Sequence, residues 1–246
     1  MTPHLLIDIG NGRTKLALST KDALHERRET STRDLSIASL IEATHGWEFD
    51  RVVACSVVPK ATQVLRDHFH SKLTELKHDA NLGIGIRYPK PQSIGPDRLA
   101  NAVALAGLYA KPGQPGIVLD FGTAVTFDVL SADHHYIGGV IAPGLRLMTD
   151  YLHERTALLP QVELREPETA IGQSTEGAIL AGAAIGYRGM IRGILAALKK
   201  ELPEGAQATV VATGGDCEWI VRDMPEVQAV DSDLTLHGLR IFAQRS

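Results

Sequence analysis

The sequence predicts an α/β protein of two lobes built by internal duplication. Three observations carry this. Short apolar strands alternate along the chain with segments of helical spacing. Two stretches, LLIDIGNGRTKLAL (5–18) and IVLDFGTAVTFDVL (117–130), share one plan: an apolar strand, an Asp, one apolar residue, a Gly, a small polar turn, then a second strand. Between them AKPGQPG (110–116), with two prolines and two glycines, marks a boundary. The lobes are therefore expected at 1–113 and 114–246, with a cleft between them and the two turns facing each other across it.

The elements follow in order. HLLIDIG (4–10) reads as a buried strand, and RTKLALS (13–19) as the alternating strand that returns from it. DALHERRETSTRD (22–34) is polar and reads as a surface hairpin or loop. LSIASLIEATHG (35–46) has helical spacing, RVVACSVV (51–58) is a valine-rich strand, and ATQVLRDHFHSKLTEL (61–76) reads as one amphipathic helix. A proline-containing loop, YPKPQSIGPDR (88–98), leads into LANAVALAGLYA (99–110), a helix apolar on most sides. Beyond the boundary come the second Asp-Gly hairpin and HHYIGGVIAPG (134–144). A helical region, ATVVATGG (208–215) and a C-terminal helix, TLHGLRIFAQRS (235–246), complete the chain.

Composition narrows the class. At 44% hydrophobic and 22% charged, the 246 residues suit a soluble globular protein. A net charge of −4 and the lack of a basic stripe argue against a nucleic-acid partner. Cys55 and Cys217 form no CxxC pair and no disulfide framework, which fits a reducing cytoplasm. MTPHLLIDIG lacks the features of a signal peptide. GAILAGAAIGYRGMIRGILAALKK (177–200) is long and apolar. As a membrane span it would bury Arg188 and Arg192, each at a cost of roughly 2.5–3.5 kcal/mol. It reads instead as a core helix whose small residues would also suit a subunit interface, so no membrane partner is expected.

The two turns suggest their own chemistry. Glycine lets a backbone turn approach a ligand closely and present its N–H groups. Asn11 and Thr123 add small polar donors, and such turns suit phosphate oxygens. A carboxylate beside a phosphate repels it unless a cation lies between. Asp8 and Asp120 therefore point to a hard cation, Mg2+ held by carboxylates plus nucleotide phosphates. Lys15 stands as a further charge at this site or as a solvated strand residue. No P-loop and no dinucleotide-binding glycine pattern competes. ATGGDCEW (212–219) is either a seat for adenine and ribose or a plain tight turn.

In SIGPDRLAN (93–101), Asp97 and Arg98 follow Gly95 and Pro96 at the start of a helix. Asp97 there is either a helix cap or the acceptor of a substrate hydroxyl proton, with Arg98 orienting the substrate. His68, His70, His134 and His135 show no zinc spacing and read as solvated or structural. Glu176 reads as an acid at a helix N-terminus.

Together DIGNGRTK, YPKPQSIGPDR, DFGTAVTFD, GGVIAPGL, TALLP, IGQSTEGAILAG and TGG occur in an order and at spacings that resemble the type III pantothenate kinases, from about residue 5 to residue 240. The resemblance implies two ribonuclease-H-like lobes, as in actin-like ATPases, with ATP in the cleft. It implies phosphorylation of pantothenate by ATP with Mg2+ and a monovalent cation, K+ or NH4+, at the head of coenzyme A synthesis. It also implies a cytoplasmic homodimer whose active site is completed across the interface.

By the same resemblance Asp8, Ile9, Gly10, Asn11, Gly12, Arg13, Thr14 and Lys15 form the first phosphate loop, and Thr123 meets ATP in the second. Asp120 matches the monovalent-cation ligand and Asp97 the catalytic base. Tyr88, Gly95, Pro96, Arg98 and Thr175 match the substrate site, and Thr156 matches a threonine that reaches the partner's site. Two positions depart from the family pattern. Gly12 stands where a threonine is usual, and Pro96 where small residues such as alanine are frequent. Two further readings are an accessory nucleotide-binding protein with little kinase activity, which Gly12 would favour, and a sugar or acetate kinase, which GPDR argues against.

Overall fold

The computed structural model describes residues 3–245. The first sheet contains β1 (His4–Ile9), β2 (Arg13–Ser19), β3 (Leu24–Ser31), β4 (Arg51–Ser56) and β5 (Leu73–Glu75), in the order β3-β2-β1-β4-β5. β1 is flanked on both sides, antiparallel to β2 and parallel to β4, which is why it reads as a nearly unbroken apolar run. Helices α1 (Ile37–Ala43), α2 (Pro59–Phe69) and α3 (Pro96–Ala104) belong to the same half of the chain.

Two expectations need correction here. The polar stretch after residue 22 contains a regular strand, β3, paired antiparallel with β2. As an edge strand it needs only one partner, and its charged side chains keep the free edge from pairing further. The helix expected over 61–76 stops at Phe69. His70 takes a left-handed φ of 46°, a short 3-10 turn follows, and Leu73–Glu75 then joins the sheet as β5.

The second sheet contains β6 (Gly85–Ile86), β7 (Gly116–Phe121), β8 (Ala124–Leu130), β9 (His135–Pro143), β10 (Thr209–Gly214) and β11 (Ala229–Val230). Its order is β11-β10-β7-β8-β9-β6. Without β6 this repeats the first sheet strand for strand, with β7 in the place of β1. The repeat seen in the two Asp-Gly hairpins thus extends to the whole strand order. Helices α4 (Leu145–Glu154), α5 (Thr175–Ala181), α6 (Tyr187–Glu201), α7 (Cys217–Val221) and α8 (Leu234–Ala243) complete the set.

By packing, the chain divides into two compact units. Unit 1 takes the residues up to Gly116, Asp128–Gly138 and those from Asp233 on, and unit 2 takes Ile117–Phe127 and Gly139–Ser232. This partition follows packing, whereas the one expected at residue 113 follows the sequence repeat. Unit 1 has a core of Leu5, Ile7, Leu16, Leu40, Val52 and Leu65. In the same unit α8 lies hard against α3: a Cβ on Gly238 would sit 1.9 Å from the Ala100 carbonyl oxygen. Nearby the buried Thr235 hydroxyl donates to Asn101 Oδ1 at 2.9 Å.

Unit 2 has a core of Ile117, Leu119, Phe127, Tyr187, Ile191 and Val210. α5 and α6 run through a π-type turn at Gly182–Gly186 as one helix, Thr175–Glu201, long and apolar enough to cross a membrane. Its Tyr187, Ile191 and Leu195 are buried in this core. Arg188 within it is nearly buried and fully engaged, donating to the Ile220 and Trp219 carbonyls and pairing with Glu166. These contacts make it a core helix, as its arginines led one to expect.

Candidate active site

The first turn links β1 to β2 in unit 1. Asp8 stands opposite Lys15 in the hairpin and Ile9 opposite Thr14, and the Gly10 amide donates to the Arg13 carbonyl at 3.0 Å. Ile9 is buried, while Asn11, Gly12 and Arg13 are exposed. The overlooked segment around β3 pins this turn from the side. The Thr32 amide donates to the Gly12 carbonyl at 3.2 Å, and Arg13 pairs with Glu29 at 2.9 Å. The fully buried Thr14 hydroxyl shares a 2.9 Å hydrogen bond with Thr32. Thr14 is thus directed into the protein, away from the exposed turn. A Cβ on Gly12 would meet nothing within 4 Å.

Asp8 also faces Cys55, its Cα partner on β4, and the Cys55 thiol donates to Asp8 Oδ1 at 3.4 Å. Burial pushes this thiol well up, and the charges of Asp8 and then Asp97 push it further. Cys55 therefore stands where the fields of both carboxylates meet, and the fold brings Asp8 and Asp97 into one neighbourhood.

Asp97 lies in the first turn of α3, after Gly95 as N-cap and Pro96 at a position where its missing N–H costs nothing. Its Oδ1 accepts the Arg98 amide at 2.8 Å. Burial pushes the Asp97 carboxyl up, and the Arg98 amide and charge only partly offset this. Arg98 Nε donates to Asp128 Oδ1 at 2.6 Å, with side-chain exposures of 16% and 0%. The Tyr136 hydroxyl donates to the same oxygen at 3.1 Å, and the Arg98 guanidinium lies 5.8 Å from the Tyr136 ring.

Tyr88 meets Tyr136 edge to face at 6.2 Å. It arrives there because β6 pairs parallel with β9 and the Arg87 amide donates to the Tyr136 carbonyl at 2.9 Å. Unit 1 therefore unites Tyr88, Gly95, Pro96, Asp97 and Arg98 around Asp128 and Tyr136. Asp128 and Tyr136 went unassigned in the sequence, although a lone Asp inside the apolar strand TFDVL was a signal that a buried charge needs a partner.

The second turn, in unit 2, joins β7 to β8 and carries Asp120 and Thr123. The Gly122 amide donates to the Ala124 carbonyl at 3.0 Å, two residues on, so this turn is one residue tighter than the first, in which Gly10 bonds to Arg13. Two glycines press on it. A Cβ on Gly144 would lie 2.4 Å from the Gly122 and Thr123 carbonyl oxygens, and one on Gly214, whose φ is +97°, 2.3 Å from the Phe121 oxygen. These contacts give GGVIAPGL and TGG their purpose. Gly144 caps α4, so the N-terminal end of that helix abuts the turn, a setting that favours anions. Arg146 pairs with Asp216 at 3.1 Å and ties α4 to the turn before α7.

Thr156 and Thr175 also belong to unit 2, and both are exposed. Thr156 follows α4, with its hydroxyl bonded to the Leu152 carbonyl at 2.8 Å. Thr175 opens α5 after the Ser174 cap. Glu176 accepts from Arg165 at 2.8 Å, in keeping with its reading as a helix N-terminal acid. Among the described residues, no three His, Cys, Asp or Glu side chains group as a metal cage.

The family described as type III pantothenate kinase matches residues 4–197. A type III pantothenate kinase of Akkermansia muciniphila is 49% identical over 241 residues, which are 98% of each chain. The crystal structure of ethanolamine utilization protein EutJ from Carboxydothermus hydrogenoformans aligns with a TM-score of 0.60 at 14% identity, covering 98% of this chain and 90% of that one. Inorganic polyphosphate/ATP-glucomannokinase from Arthrobacter sp. strain KM aligns with a TM-score of 0.52 at 14% identity, covering 100% of both. At such identities the structures speak for the fold alone, the two-lobed α/β fold of actin-like ATPases and sugar kinases. The match over most of the sequence, and the identity that extends over nearly all of it, show that the chain belongs to the type III pantothenate kinase family.

Proposed function

We propose that this chain transfers the γ-phosphoryl group of ATP to the primary hydroxyl of pantothenate, giving 4'-phosphopantothenate and ADP at the head of coenzyme A synthesis. The observation that carries this is the GPDR segment, in which a partly buried Asp97 stands beside an Arg98 fixed on a buried carboxylate. Asp97 accepts the hydroxyl proton as the oxygen attacks phosphorus. Arg98 and Tyr88 hold the substrate, with Gly95 and Pro96 shaping the approach and Thr175 adding a hydroxyl. The exposed tip Asn11, Gly12 and Arg13, with Gly10, Lys15 and Thr123, serves the phosphates of ATP, while the buried Ile9 and Thr14 support the first turn from within. Phosphoryl transfer depends mainly on positioning and charge neutralisation, so a carboxylate is a sufficient base.

The donor set fits hard cations that complete their shells on phosphate oxygens and water, because each turn carries one carboxylate. Asp8 is assigned Mg2+ and Asp120 a monovalent cation, K+ or NH4+. When bound, these ions offset negative charge on the transferring group.

The assembly is read as a homodimer. α4 exposes Leu147, Met148, Tyr151 and Leu152, and Leu158 and Ile171 beyond it are 91% and 80% exposed. So much apolar surface around Thr156 suits a second copy, whose site Thr156 would complete. The reaction joins soluble metabolites in the cytoplasm and calls for neither nucleic acid nor a membrane.

ADP release, followed by a coupled assay with and without pantothenate in K+ and NH4+ buffers, tests the function. Turnover dependent on pantothenate is expected. ATP binding with no such turnover in either buffer would favour the accessory reading.

A further inference from the structure

We propose that Asp128, held by Tyr136, is the positioning residue that aims Arg98 at the substrate. The inference rests on pantothenate being the substrate, and it adds a residue from the second Asp-Gly hairpin to the unit 1 site.

The argument begins with burial. The Asp128 side chain has no exposed surface, so it cannot touch a ligand itself. A carboxylate in such a place is retained only with strong partners. It has them in Arg98 Nε at 2.6 Å and the Tyr136 hydroxyl at 3.1 Å, both on Oδ1. The Tyr136 hydroxyl is pushed up, first by burial and then by Asp128, so it stays protonated and donates throughout the working pH range.

The geometry of the pair decides its consequence. Arginine has a planar fork of five N–H donors on a long flexible stem. Anchoring Nε on a fixed carboxylate sets the plane of that fork. It leaves the outer edge, Nη1 and Nη2, to meet oxygen atoms of a substrate. The Tyr136 ring below the guanidinium restrains it further, and the same ring carries Tyr88 on its edge. The two side chains assigned to the substrate, Tyr88 and Arg98, are thus registered on one buried pair from a distant part of the sequence, Asp128 and Tyr136.

The test uses the full chain and reads pantothenate KM separately from kcat and from ATP KM. Asp128→Asn is expected to raise pantothenate KM by about tenfold or more, since it removes the charged partner that orients Arg98, and to leave ATP KM unchanged. Tyr136→Phe is expected to raise it by about threefold. A second readout is chemical rescue. Arg98→Ala leaves a slot facing Asp128 that millimolar guanidinium chloride should fill, restoring turnover saturably where NaCl of equal ionic strength does not. The same salt should restore nothing when Arg98→Ala is combined with Asp128→Asn.

Equal rescue in both backgrounds, or a wild-type pantothenate KM in Asp128→Asn, would overturn the assignment. If Asp128→Asn shows no cooperative melting transition, Tyr136→Phe decides, and an unchanged KM there overturns it. Wild-type enzyme without pantothenate turnover would sink the functional reading alone. Pantothenate affinity of the same variants, measured by calorimetry, would then judge Asp128, and a wild type that does not bind pantothenate sinks both.

Discussion

At Asp97 burial opposes the adjacent cation, and burial prevails. A carboxyl held above its ordinary value keeps its proton to a higher pH. The acid limb of kcat/KM for pantothenate should therefore lie above the usual Asp pKa of about 3.9. The folded state also binds that proton more tightly than the unfolded chain does. The charged form thus weakens the fold once pH rises past the ordinary value, and the penalty is absent below it. Asp97→Asn should accordingly lower kcat by about 10²–10⁴-fold while raising Tm at pH 8 and leaving it unchanged near pH 3. Near-wild-type turnover would remove Asp97 as the base. Asp97 and Arg98 were legible because adjacent residues after Gly-Pro make a local pattern. Asp128 and Tyr136 were not, since their role arises only when β8 and β9 bring residues distant in sequence beside α3.

The first turn shows what a supporting element adds. β3 and the residue just beyond it hold the turn through Glu29 and Thr32, whereas the tip at Gly12 has open space. Gly12→Thr should therefore fold with an unchanged Tm. Its new hydroxyl should lower ATP KM by about two- to tenfold, the worth of one added hydrogen bond. A raised KM would show that the turn works better without a side chain. The hairpin itself was plain from the apolar run and the glycines. β3 was hidden because charged residues at an edge blur the alternation that marks a half-buried strand. The end of α2 was hidden because nothing in HFHSK announces that His70 turns left-handed.

Over the whole molecule, the exposed apolar face of α4 makes association the next expectation. Met148→Glu with Leu152→Glu should leave the fold intact, since both side chains are already 41–42% exposed. Light scattering should then report a monomer. On the proposal that Thr156 completes the site of a second copy, pantothenate turnover should fall with it. A dimer that persists, or a monomer with full turnover, counts against this assembly. The duplicated architecture was visible in two short hairpins, and the matching strand orders extend it to both sheets. The discontinuity of unit 1 was not visible, because it depends on α8 docking on α3 from the far end of the sequence. That docking gives the nascent chain a timetable. The strands bearing Asp8 and Cys55 leave the ribosome early, yet the α3 surface beside Gly238 stays wet until α8 has been made. The bond between Asn101 and Thr235 spans 134 residues of sequence, so this face of unit 1 closes only through a long-range contact, the kind that forms slowly.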